Sequence, residues 1–265
     1  MTTFRDALAA ADAPLVGLWN ASGSALAAEI MAGSGADLLL VDGEHGPITV
    51  SELLPILQAA AAYPVTTLVR VPWNDPVIIK QVLDLGAQNL LVPMVSTADD
   101  ARAAVRAARY PGGAGEREGA RGIGSALARS SRWGRLAGYV QRADAHVSVT
   151  VQIETADAVA NAAEIAAVDG VDALFIGPAD LAGSMGYPGR PSEPAVVAAV
   201  DATIDAVRAV GKPVGVNAFA EADADRCIAR GAAFVFVAAD VTLMARGSEA
   251  AVARLKRPAG EADSY

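Results

Sequence analysis

The sequence predicts a single (β/α)8 TIM barrel of the α/β class, and three observations carry that prediction. Short apolar runs recur eight times, alanine-rich helical stretches separate them, and the chain has 265 residues, close to the roughly 250 typical of the eight-fold barrel. The runs are LVGLW (15–19), DLLLVDG (37–43), TTLVRV (66–71), NLLVPMV (89–95), VSVTVQIE (147–154), ALFIG (173–177), PVGVNAF (213–219) and FVFVAAD (234–240). Each is bounded by Gly, Pro or Asp and lacks polar alternation, the pattern of strands covered on both faces. Helical patterns lie between them at 50–63, 75–86, 99–110, 155–168, 193–210 and 221–231. Several open at Ser, Thr or Asp and close at Gly. Alternation of this length, joined by right-handed crossovers, closes a parallel barrel. The rival is an open doubly wound sheet. Its dinucleotide fingerprint is missing, because the first strand runs into Trp19-Asn20-Ala21-Ser22-Gly23 and not a G-x-G-x-x-G turn. No linker divides the chain, so the barrel is assigned to residues 1–256 and a polar tail to 257–265.

Composition narrows the function classes. Hydrophobic residues make up 53% and aromatics 5%, which argues against disorder and suits helices packed on a sheet. A formal charge of −9 with no basic stripe argues against a nucleic-acid partner. The single cysteine, Cys227, excludes an intrachain disulfide. The opening MTTFRDALAAADAP is acidic and lacks the long apolar core of a signal peptide. No run reaches the roughly 18 apolar residues of a membrane span. A cytoplasmic protein with no membrane partner is expected.

In a barrel the carboxyl ends of the strands converge on one mouth, so reactive residues there are candidates for catalysis. The second strand ends in Asp42-Gly43-Glu44-His45, the third at Arg70, the fifth in Gln152-Ile153-Glu154 and the sixth in Gly177-Pro178-Ala179-Asp180. Charged groups directly after apolar runs are costly to bury without partners. Glu154 and Asp180 come from neighbouring strands, and two carboxylates without a nearby cysteine or second histidine suit a hard cation such as Mg²⁺ or Mn²⁺. The competing reading makes them caps of the following helices. His45, beside Asp42 and Glu44, has the setting of a general base or acid whose ring a carboxylate orients. It also reads as a loop histidine. Arg70 suits an anion or a developing oxyanion. Asp84 closes a helix, where the macrodipole disfavours an acid, which hints at a cationic contact.

The three lysines give a useful exclusion. Lys80 lies in a helix, Lys212 precedes strand seven and Lys256 borders the tail. None ends a strand, so a Schiff-base lysine is disfavoured and an electrophilic metal is the natural replacement. His146 precedes strand five, at the end away from the mouth. Residues 111–135 form a long Gly- and Arg-rich connection, in which Gly124-Ser125-Ala126 are candidates for functional contact.

The segments VDGEHGP (41–47), VRVPWNDP (69–76), LLVPMV (90–95), RGIGSALARSSRW (121–133), VQIET (151–155) and FIGPADL (175–181) occur in the order seen in the HpcH/HpaI aldolase family. Together they resemble that family over nearly the whole chain. The resemblance implies a class II, metal-dependent pyruvate aldolase that cleaves 4-hydroxy-2-oxoacids to pyruvate or hydroxypyruvate and an aldehyde. By position, Glu154 and Asp180 match the metal ligands, for Mg²⁺, Mn²⁺ or Co²⁺, and His45 matches the catalytic base. Arg70 matches the arginine on the keto oxygen, Asp84 the acid paired with the histidine, and Gln152 a neighbour of the metal. Trp19, Ser125, Pro178 and Ala179 match residues around the substrate, with Gly177 beside them. The family also implies a homo-hexamer, a dimer of trimers with an exchanged C-terminal helix. Two departures stand out: the inserted GGAGEREG (112–119), and the polar Asn217 after strand seven. They bear on the acceptor aldehyde. Alternatives with the same enolate are an oxaloacetate decarboxylase or a malyl- or citryl-CoA-type lyase. A barrel that only binds an oxoacid is the non-enzymatic alternative.

Overall fold

Eight parallel strands close in sequence order, β1 to β8, in a computed structural model that describes residues 3–112 and 118–256. The strands are β1 (Leu15–Asn20), β2 (Leu38–Asp42), β3 (Thr66–Arg70), β4 (Asn89–Val92), β5 (Ser148–Ile153), β6 (Ala173–Ile176), β7 (Val214–Asn217) and β8 (Phe234–Ala239). Each coincides with a run expected from the sequence. Around them run α1 (Phe4–Ala10), α2 (Ala25–Ala32), α3 (Val50–Ala60), α4 (Pro76–Asp84), α5 (Ala98–Ala108), α6 (Tyr139–Arg142), α7 (Ala156–Ala160) and α8 (Ala162–Ala166). The circuit ends with α9 (Pro178–Ser184), α10 (Pro194–Ala209), α11 (Glu221–Arg230) and α12 (Asp240–Ala253). The tail 257–265 and most of the 112–119 insertion lie outside the described residues.

Local chemistry explains where helices begin and end. Thr49 with Glu52, and Thr97 with Asp100, form capping boxes at α3 and α5. Asp75 caps α4 by accepting the N–H groups of Val77 and Ile78, with Pro76 at the first helical position. The predicted helix 155–168 is broken at Asn161 into α7 and α8, since Asn161 leaves helical geometry and donates its side-chain amide to Ser96 O.

Alternation along the strands builds two apolar regions. Outward residues such as Leu39, Val41, Val69, Leu90, Val151 and Ile176 pack against the helices. Inward ones fill the barrel with Leu38, Leu40, Leu68, Leu91, Phe175, Phe234 and Phe236. Gly17 and Gly215 are needed there, because a Cβ at either would run into the ring of Phe236 or Phe234. Phe4 of α1 plugs the amino end, stacked edge-on to Phe234 at 5.0 Å, and its N–H donates to Asn89 Oδ1 at 2.6 Å. The interior is therefore solid below, and open chemistry is left to the carboxyl ends. Among the described residues no helix is long and apolar enough to cross a membrane.

Candidate active site

At the carboxyl end the inward positions turn polar. Asp42 and Arg70 are register partners on β2 and β3, so their side chains meet inside the mouth. Arg70 donates Nε and Nη2 to the two oxygens of Asp42 at 2.9 and 2.8 Å, and its Nη1 lies 2.9 Å from Glu44 Oε2. Its guanidinium sits 4.5 Å from the centre of the Trp19 ring. Arg70 is only 6% exposed, and the two carboxylates offset the cost of burying it. Trp19 is fixed in turn by its Nε1, which donates to Asn217 Oδ1 at 3.0 Å.

Asp42 also accepts the backbone N–H groups of Glu44 and His45 at 3.1 and 3.2 Å. Burial pushes the Asp42 carboxyl up, but the bonds and charge of Arg70, with the two amides, outweigh it and hold the group below its ordinary value. This corrects one expectation. The carboxylate next to His45 shapes the loop through its backbone and leaves the exposed imidazole free of a hydrogen bond among the described residues. Glu44 behaves in the opposite way to Asp42. Its burial, with the charges of Glu154 and Asp42, raises its carboxyl above the ordinary range despite Arg70 and His45.

Glu154 follows β5 and is 2% exposed. Its Oε1 accepts the N–H of Met94 at 2.6 Å, and its Oε2 accepts the amide of Gln152. Met94 has φ of 55°, a left-handed backbone that is uncommon for this residue type and turns its N–H onto the carboxylate. Burial raises the Glu154 carboxyl and the charge of Asp180 adds to that, while Met94, Gln152 and Arg70 oppose it. Asp180 stands exposed in the first turn of α9, after Gly177, Pro178 and Ala179. A Cβ on Gly177 would come within 3.2 Å of both Gln152 Nε2 and Glu154 Oε2. Glycine keeps that space open.

A divalent cation fits these residues. Glu154 is a buried carboxylate whose charge burial disfavours, Asp180 adds a second acidic oxygen donor, and Gln152 Oε1 is buried without a partner. Among the described residues no cluster of three or more His, Cys, Asp or Glu is present. Substrate and water oxygens would therefore complete the coordination of a hard ion.

Two residues expected at the mouth are elsewhere in this chain. Asp84 closes α4, which runs back from the mouth, so it lies at the amino end of the barrel with β4 starting just beyond. Its carboxylate pairs with Arg121 Nη2 at 2.6 Å and not with His45. The cationic contact anticipated from the helix dipole is thus present, but with another partner. Ser125 belongs to the same end: a Cβ on Gly124 would stand 3.6 Å from Asp84 Oδ2, and Arg129 Nη1 donates to Leu85 O at 3.0 Å. Neither can reach the mouth of its own barrel.

The family model described as HpcH/HpaI aldolase/citrate lyase matches residues 15–247, nearly the whole circuit of strands. The chain belongs to the HpcH/HpaI aldolase/citrate lyase family. It is 52% identical over 251 residues to the 4-hydroxy-2-oxo-heptane-1,7-dioate aldolase of Salmonella arizonae, covering 95% of this chain and 93% of that protein. Among solved structures, an HpcH/HpaI aldolase/citrate lyase family protein from Burkholderia cenocepacia superposes with a TM-score of 0.90 at 38% identity, covering 96% of this chain and 98% of that one. The HpcH/HpaI aldolase from Desulfitobacterium hafniense gives 0.86 at 28% identity, covering 98% and 99%.

Three residues of the candidate site have roles that the sequence did not assign. Glu44 sits in the same DGEHG motif as His45, and only the geometry shows that it faces Arg70. Met94 acts through its backbone, for which LLVPMV gave no signal beyond the preceding proline. Asp240, buried at the start of α12, accepts Asn20 Nδ2, the amides of Ala21 and Ser22, and the Ser22 hydroxyl, so it ties down the loop behind Trp19. Its signal was an acid directly after the last strand, the position already used to choose the others.

Proposed function

We propose that this HpcH/HpaI protein is a class II aldolase, reversibly splitting 4-hydroxy-2-oxoacids into pyruvate or hydroxypyruvate and an aldehyde. The observation that carries the reading is Glu154, a buried carboxylate of raised pKa at the barrel mouth, facing Asp180 and within the field of Arg70. The names of the relatives support the same activity. Glu154 and Asp180 would hold Mg²⁺ or Mn²⁺, with Co²⁺ a further candidate, and such an ion supplies the electrophilic pull that acidifies the C3 protons of an oxoacid.

The protein residues then have separate tasks. Gln152 offers its free Oε1 to a donor on the substrate or an ordered water. Arg70 keeps its two hydrogen bonds to Asp42 and exchanges Glu44 at Nη1 for the keto oxygen as that atom gains charge. His45, exposed at the rim, takes the proton of the C4 hydroxyl in cleavage, directly or through a water, and the C3–C4 bond breaks. Trp19 and Asn217 form one wall of the acceptor side, and Gly177, Pro178 and Ala179 the other.

Asp84 and Ser125 enter this reading only from a neighbouring subunit. Exposed apolar side chains favour assembly: α12 leaves Leu243, Met244 and Val252 exposed by 53%, 68% and 52%, and Asp240 is its one buried residue. A helix with so little buried surface needs a second chain to hold it. The expected form is a cytoplasmic homo-hexamer, a dimer of trimers exchanging this helix. The enolate chemistry is tested by NMR of pyruvate in D₂O. Loss of the methyl proton signal that requires added Mg²⁺ or Mn²⁺ supports the proposal, and no exchange under any metal condition rejects it. A panel of aldehydes against pyruvate and hydroxypyruvate then assigns the substrates.

A further inference from the structure

Beneath the barrel, at the end away from the mouth, lies a cavity of about 900 Å³ between the end of α3, the turn before β4 and residues 129–146. Three arginines, Arg129, Arg132 and Arg135, line it together with His146, and none of its lining residues is acidic. In a chain of formal charge −9, this is a local reversal of sign, and a concave cationic site concentrates anions. Trp133 and Tyr63 give it aromatic surface.

The segment carrying these groups is held in an unusual shape. Arg132 and Trp133 are consecutive non-glycine residues with φ of 54° and 56°, a conformation disfavoured for L side chains that persists where the surroundings enforce it. Here the surroundings do so. Arg132 N–H donates to Arg129 O at 2.8 Å, Trp133 N–H to Ala128 O at 2.9 Å, and Gly134 N–H to Ser131 Oγ at 2.8 Å. The buried Ser131 hydroxyl also donates to the carbonyls of Ser125 and Ala128.

The charges on this frame are not equally engaged. Arg129 caps Leu85 O at the end of α4. Arg135 makes a long bond to Arg132 O and lies 5.6 Å from the Trp133 ring centre. Arg132 has no side-chain partner among the described residues, and Ser130, 9% exposed on the cavity wall, has a hydroxyl without one. We propose that this cavity, at the opposite end of its own barrel from the mouth, is a second ligand site for a small organic anion that carries two or more negative charges and a planar ring. Arg132 and Arg135 take the charges and Trp133 the ring. Its volume is within the range of about 300–1,000 Å³ found for small-molecule sites.

Isothermal titration of the full chain with AMP, terephthalate, pyrophosphate and adenosine tests this. AMP and terephthalate are expected to bind and adenosine is not, with pyrophosphate weaker than AMP. Arg132→Asn keeps a residue tolerant of the left-handed backbone while removing the charge; it and Arg135→Gln should each weaken binding about tenfold or more, the scale of one charged hydrogen bond. Trp133→Leu should weaken the ring-bearing ligands and leave pyrophosphate unchanged. Melting curves establish that each variant is folded, and sedimentation follows its assembly. Undiminished binding in folded Arg132→Asn and Arg135→Gln overturns the site, as does failure of every anion to bind. A change of oligomeric state in those variants, without ligand binding in the parent, assigns the cavity to a subunit contact and also overturns it. Pyrophosphate binding as tightly as AMP overturns the role of the ring.

Discussion

Replacing Glu154 by Gln separates the two demands on this residue. The carboxylate is buried, and its pKa is raised first by that burial and then by Asp180. A group whose folded pKa lies above its unfolded one contributes stability that is complete below the unfolded value, about 4.3 for glutamate, and lost as the pH rises through the folded value. Metal-free wild-type protein therefore loses stability as the pH rises through the folded value of Glu154, and Glu154→Gln removes that loss. The amide can retain the bond from Met94 N–H, and a flip of Gln152 turns its unpartnered Oε1 toward the new NH₂. The metal-free variant should melt at or above wild type near neutral pH, with the difference shrinking as the pH falls. Added metal reverses the order. At a hundred times its dissociation constant an ion stabilises the folded chain by about 2.7 kcal/mol, which is roughly 5–10 °C in melting temperature for a barrel of this size. Wild type should show that rise with Mg²⁺ or Mn²⁺ and lose it in EDTA, and its metal affinity should fall as acid protonates Glu154. The variant should show none of it. Differential scanning calorimetry of both proteins, with and without metal, reads all four states. A metal-induced rise that survives in Glu154→Gln refutes the assignment of this carboxylate as a ligand.

Three further outcomes follow from the same geometry. His45→Ala should lower turnover by about 10²- to 10⁴-fold, the usual contribution of a positioned acid or base, with the metal-induced melting shift intact; an equal loss of both would contradict the role given to the imidazole. Arg70→Ala leaves Asp42 and Glu44 buried without their cation, so calorimetry should show a loss of about 3–5 kcal/mol in addition to lost activity. Mixing inactive His45→Ala and Asp84→Asn subunits after unfolding and refolding should restore activity to about one quarter of wild type if each site pairs a histidine with a neighbour's aspartate, whereas no recovery in correctly assembled mixtures argues against a shared site.

The strands were legible because each is a short apolar run between turn residues, and a parallel barrel buries both faces of every strand. Helix ends were less legible. The break at Asn161 depends on its side chain finding Ser96 O across the molecule, a partner 65 positions away. The core of the candidate site was readable for a simpler reason: Asp42, Arg70, Gln152, Glu154 and Asp180 each end or follow an apolar run, and the barrel converts that position in sequence into convergence in space. The same reasoning placed Glu44 at the mouth without assigning it a role, and it missed Met94. One is told from Asp42 only by which oxygen faces Arg70, and the other acts through a backbone N–H that exists at almost every position.

Asp84 and Ser125 show where reasoning from sequence order reaches its boundary. The family resemblance matches both to residues around the substrate, while a helix that starts at the mouth must end one strand length away from it. Both statements hold together only if the site is built from more than one chain, with the amino end of one barrel set against the carboxyl end of another. Arg121 then acquires a reason for its burial. It is fully enclosed, stacked 4.5 Å over Tyr110, with Nε and Nη1 lacking partners, and it spends Nη2 on Asp84. Such an arrangement costs more than an exposed pair would, but it fixes the direction of the Asp84 carboxylate, as a site shared between chains would require.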